Sequence, residues 1–223
     1  MSFSSKYEKW FKRLLPAPFV IAIGLTIVTI ILALVFGNAN GEKTNLLTIA
    51  KQWETGLWNK GLLVFAFQMM FMLVLGHALA LSRPVSWLID LLAKRCDNSA
   101  KAALIVTFCT VLVGFVNWGL ALIFGAILAR KVGEYCKNNG LKLNYPLVGA
   151  AGYTGLLVWH GGLSGSSLLK INEEGHLQSL TNTISETIPV SISISETIFS
   201  SMNIIVMFTL LVVLSLTAYV MGK

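Results

Sequence analysis

The chain has 223 residues, of which 55% are apolar and 12% charged, and a formal net charge of +7. So little charge excludes an ordinary water-soluble domain, which is about a quarter charged. The excess of Lys and Arg does not indicate a nucleic-acid partner, because the basic residues stand at the ends of apolar runs, with no stacking-aromatic or zinc pattern beside them.

Five runs contain no Asp, Glu, Lys or Arg: Pro18 to Phe36, Gly61 to Ser82, Ala102 to Ala129, Tyr145 to Leu169 and Thr197 to Gly222. Each is close to or above the ~20 residues that a helix needs to cross ~30 Å of hydrocarbon. The composition therefore predicts one all-α, polytopic membrane domain over residues 1–223. Lys6, Lys9, Lys12 and Arg13 precede the first run and imitate a secretory signal. The apolar stretch is long, however, and no small-x-small cleavage pattern follows, so residues 18–36 are expected to form an uncleaved span.

A second span is expected over 57–82. It holds Gln68 near its middle and His77 near its end. Polar and titratable groups at bilayer depth are candidates for function. Gln68 reads equally well as a helix–helix hydrogen bond, and His77 as an interfacial residue. Residues 83–97 place Pro84, Trp87, Leu88, Leu91 and Leu92 among Arg83, Asp90, Lys94 and Arg95, the pattern of an amphipathic helix lying in the interface. Cys96, Cys109 and Cys136 lack metal-ligand spacing and read as small apolar residues.

The third run is 28 residues long, about 42 Å as one straight helix. Its middle reads Gly114-Phe115-Val116-Asn117-Trp118-Gly119, which is turn chemistry because Gly and Asn tolerate positive φ. The run is either one tilted helix or a re-entrant hairpin over 100–129. Charge sorting separates the two. With a hairpin and four full crossings, 13 of the 17 basic residues share the cytoplasmic side and six of the ten acids lie outside. With a single crossing, the basic residues divide nine to eight. The hairpin is the expectation, and both termini then lie in the cytoplasm. A hairpin tip leaves backbone groups open within the membrane, which is tolerated only where protein or a wet cavity meets it. Asn117, Trp118 and Gly119 thus become candidate substrate-binding residues.

The fourth run, expected as a span over 145–169, carries Trp159-His160-Gly161-Gly162-Leu163-Ser164-Gly165-Ser166. Each glycine costs about 1 kcal/mol relative to Ala in a helix interior. The segment therefore reads as an unwound break whose freed N–H and C=O groups, with His160, Gly161, Gly162, Ser164, Gly165 and Ser166, meet a ligand. Close helix packing is the plainer use of the same small residues. A serine-hydrolase elbow, the third reading of the segment, departs from its pattern: it needs glycine at 166, where Ser166 stands, and a preceding strand. Residues 171–196 form a polar outer loop, and a last span is expected over 197–222. No Arg or Lys lies in any run, so an anion would be met by helix N-termini, N–H groups, hydroxyls and a co-bound cation or proton. That suits a monocarboxylate.

Beyond these readings, the chain resembles the short-chain fatty acid transporter family. The resemblance rests on Trp53-Glu54-Thr55-Gly56-Leu57-Trp58-Asn59, Phe67-Gln68-Met69, Gly76-His77-Ala78-Leu79-Ala80, Val116-Asn117-Trp118-Gly119, Tyr145-Pro146-Leu147 and Trp159 to Ser166. It implies a transporter and not an enzyme. The implied activity is uptake by symport of short monocarboxylates such as butyrate across the cell inner membrane, coupled to a proton or Na+, with no other cofactor. It also implies one half of an inverted-repeat, elevator-type architecture, since family members are about twice as long. The expected partners are the lipid bilayer and either a carboxy-terminal half polypeptide or further copies of this chain.

Overall fold

The computed structural model describes Trp10 and residues 16–39, 42–181 and 188–223. The regular secondary structure among the described residues is helical apart from one two-residue antiparallel ladder, β1 (Asn38–Ala39) with β2 (Glu42–Lys43), paired Asn38 to Lys43 and Ala39 to Glu42. The chain divides into two compact units, residues 1–66 and 67–223.

The first unit holds α1 (Pro18–Phe36) and α2 (Leu46–Leu57). Proline near the start fits α1, since the missing N–H is one that no helix would pair there. In α2, the Asn45 side chain accepts from the N–H of Thr48 at 2.9 Å, which satisfies one of the orphan donors of the first turn. The helix α3 (Lys60–Ala80) follows and runs into the second unit.

The second unit is built around α5 (Ser99–Val116) and α6 (Trp118–Asn138), preceded by α4 (Arg83–Ala93). The chain folds back on itself at Asn117. Forty residues apart, the Cys136 thiol donates to the Cys96 carbonyl at 3.3 Å, so the two limbs end where they began. Their seam contains Ala102, Val106, Phe124, Leu128 and Val132. Beyond it come α7 (Tyr145–Ala151), two single 3₁₀ turns (Thr154–Leu157 and Trp159–Gly161), α8 (Ser166–Lys170), α9 (His176–Thr181) and α10 (Ser201–Met221). Helix α10 runs antiparallel to α5: Gly222 lies against the backbone of Ala100, and Leu211 packs with Val111.

Among the described residues, four helices are long and apolar enough to cross a membrane: α1, α3, α5 and α10. The protein is therefore a multi-pass membrane protein. The number matches the sequence expectation while the membership differs. Residues 145–169 hold no continuous helix, and α5, read from sequence as half of a hairpin, has the length of a span. Of the apolar window of α5, 44% is buried, against 17% for that of α10, so α5 is the central helix of the second unit.

Candidate functional site

Asn117 ends one helix and starts the next. Its N–H closes α5 on the Val113 carbonyl at 2.9 Å, and its side-chain oxygen accepts from the N–H of Leu120 at 2.9 Å. Its own backbone is extended, at φ −154° and ψ 122°. The turn therefore needs no positive φ, contrary to the expectation from its glycines. Gly114 and Gly119 are small for a different reason. A Cβ on Gly114 would lie 2.6 Å from the Gly155 carbonyl, and one on Gly119 would strike the Met72 sulfur.

The fourth run is unwound from Gly152 to Gly165, apart from its two 3₁₀ turns. Two hydrogen bonds tie this break to the hairpin tip. The Leu163 N–H donates to the Phe115 carbonyl at 2.7 Å, and the Trp118 N–H donates to the Ser164 hydroxyl at 3.0 Å. Gly162 makes the approach possible, since a Cβ there would lie 2.6 Å from the Phe115 oxygen. The Trp118 and Trp159 rings meet at 5.4 Å, inclined by 58°, and Trp159 in turn lies 4.1 Å from the His160 ring. The two segments singled out in the sequence, 117–119 and 160–166, are thus brought together. Gly165 belongs to this junction too, with its Cβ position only 2.5 Å from the His160 carbonyl. Of Ser166 the backbone alone is described; it opens α8.

Asn203 was not singled out in the sequence. From the first turn of α10 its amide nitrogen donates to the Gly161 carbonyl at 2.9 Å and to the Ile198 carbonyl at 2.7 Å. It satisfies a backbone group that the break sets free. The available signal was a lone amide within the uncharged run 197–222. Gln68 and His77 lie on exposed positions of α3 and are not brought into the site. The residue of α3 that reaches the tip is Met72, against Gly119.

The site holds no Lys, Arg, Asp or Glu, and among the described residues no group of His, Cys, Asp and Glu could hold a metal ion. Its polar equipment is the Asn117 amide, the Ser164 hydroxyl, the His160 imidazole and backbone. Neither the Asn117 amide nitrogen nor the Ser164 hydroxyl donates to protein among the described hydrogen bonds. Both donors, together with the amino end of the 21-residue α6, suit a small anion. Helix N-termini favour negative charge.

A family model described as short chain fatty acid transporter matches residues 2–223. A protein of Escherichia coli (strain K12) with the name "Putative short-chain fatty acid transporter" is 34% identical over 206 residues, covering 92% of this chain and 43% of its own length. One of Haemophilus influenzae with the same name is 31% identical over 224 residues, covering 99% of this chain and 45% of its own. The chain thus spans less than half the length of these curated relatives. No solved structure matches it at a significant level.

Proposed function

The chain belongs to the short chain fatty acid transporter family, and from that premise we propose that it carries half of the binding site of a secondary transporter for short monocarboxylates such as butyrate. The observation behind the reading is the junction of hairpin tip and break, Leu163 on Phe115 and Trp118 on Ser164. Two interruptions of helix, remote in sequence, meet in a place without charge. The carboxylate accepts from the Asn117 amide and the Ser164 hydroxyl at the head of α6. A co-transported proton or Na+ balances its charge, with His160 at the margin as the titratable group.

The hairpin is re-entrant in this reading. The uncharged part of α6 runs from Trp118 to Ala129, 12 residues, or about 18 Å, well short of ~30 Å of hydrocarbon. The charges Lys101, Arg130, Lys131 and Lys137 then stay at the cytoplasmic face with both termini. The site is completed by a second hairpin and break, from a carboxy-terminal half polypeptide or another copy of the chain, in the cell inner membrane.

A second reading, an assembly subunit without transport, draws on the glycines. Gly114 on Gly155 and Gly125 on Gly152 are backbone-to-backbone contacts that serve packing alone. Radiolabelled butyrate uptake into proteoliposomes, with the chain alone and with its other half, separates the two. Uptake is expected to fall at least tenfold with Asn117→Leu and with Gly161→Leu plus Gly162→Leu. Uptake unaffected by both variants removes the site.

A further inference from the structure

Behind the hairpin tip lies a cavity of about 450 Å³, between α5, the break and α10. Its walls include Leu112, Phe115, Leu163, Ile204, Met207 and Leu211. Its volume falls within the ~300–1,000 Å³ of small-molecule sites. Asn203 is the only polar side chain in the lining, and its amide N–H groups are already taken by the Gly161 and Ile198 carbonyls. No donor or charge is left over to hold an ionised group, and desolvating a carboxylate there would be heavily unfavourable. Hydrocarbon is the chemistry these walls accept.

The cavity also adjoins the polar site along both segments. Phe115 and Val116 in its wall lead directly to Asn117, and Leu163 leads to Ser164. Polar donors at one end and an uncharged chamber at the other make the shape of an amphiphile. We propose that this cavity holds the hydrocarbon tail of the carboxylate and sets the chain length accepted, an inference that rests on the transport reading above. The floor is Leu211, 7% exposed, while Ile204 and Phe208 stand at the rim, 53% and 65% exposed. A tail enters past the rim and stops at the floor.

The test is a titration of the purified full chain with acetate, butyrate, hexanoate and octanoate, read as thermal stabilisation. Affinity is expected to rise about fourfold per methylene, the equivalent of ~0.8 kcal/mol per buried CH₂, up to a ceiling. Ile204→Trp, which fills the rim, should lower the ceiling and weaken hexanoate about tenfold relative to acetate. Phe208→Ala, which widens the rim and leaves the Leu211 floor in place, should keep the ceiling where it is. Both positions are exposed, so ligand-free melting within about 2 °C of wild type verifies the fold. A length profile that is flat, or unchanged by Ile204→Trp, overturns the tail pocket and leaves the transport reading standing. Absence of stabilisation by any acid, both in the chain alone and with its carboxy-terminal half added, overturns the transport reading, and the pocket with it. Phospholipid that co-purifies in the cavity and is not displaced by octanoate assigns the chamber to a membrane lipid and overturns the inference.

Discussion

Gly162→Ala tests the junction directly. An added Cβ would lie 2.6 Å from the Phe115 oxygen, 3.0 Å from the Phe115 Cα and 3.1 Å from the Gly114 oxygen. All three are backbone atoms, so no rotamer change relieves the clash. Reaching an ordinary contact of about 3.4 Å requires tip and break to part by roughly 0.8 Å. The Leu163–Phe115 hydrogen bond, now 2.7 Å, would then stretch to about 3.5 Å, past the usual range. Overpacking costs about 1–3 kcal/mol, and the lost Leu163–Phe115 hydrogen bond about 0.5–1.5 kcal/mol, so a loss of about 3 kcal/mol is expected. Gly149→Ala is the control. It sits on an exposed position within α7, with nothing within 4 Å of its Cβ, and should gain up to ~1 kcal/mol from helix propensity. Unfolding of the purified chain in mild detergent gives the two energies, and hydrogen exchange at the Leu163 amide reports the bond. If Gly162→Ala is as stable as wild type with Leu163 still protected, the junction does not exist as described.

Three further outcomes are expected. Asn203→Leu strips the donor from two carbonyls and should cost about 2 kcal/mol at ~0.5–1.5 kcal/mol per bond; an unchanged unfolding midpoint would count against its role. Burial, and secondarily the neighbouring Cys136, push the Cys96 thiol up to about 12. Because the thiolate is the reactive form, Cys96 should resist maleimide at pH 8 until the protein is unfolded, and rapid labelling in the folded state would contradict its burial. Finally, Lys101→Cys and Arg130→Cys in a chain with its native cysteines replaced should label from the same face of the membrane. Labelling from opposite faces would rule out the fold-back.

Where helix stops was legible in the sequence, and what fills each stop was not. Asn117 and the glycines from 161 to 165 stand out inside uncharged runs, because amides and paired glycines are costly in an apolar helix. Their partners left no such mark. Phe115 contributes a carbonyl, which every residue has. Met72 and Asn203 are ordinary members of their own helices until the chain brings them 47 and 42 residues across to Gly119 and Gly161. The glycines misled in one respect: Gly114 and Gly119 suggested a left-handed turn. Among the described glycines only Gly140 and Gly175 have positive φ, both outside the site. Absence of a side chain can signify a bend or a near neighbour, and sequence alone does not separate them.

A connection one residue long has no slack. Because Asn117 closes α5 with its N–H and opens α6 with its side chain, the angular phase of one limb is locked to that of the other. One residue more or fewer would turn α6 by about 100°, carrying Gly119 off Met72 and Gly125 off Gly152 together. An insertion or deletion at this joint therefore breaks several close contacts at once, where a substitution beside it breaks one.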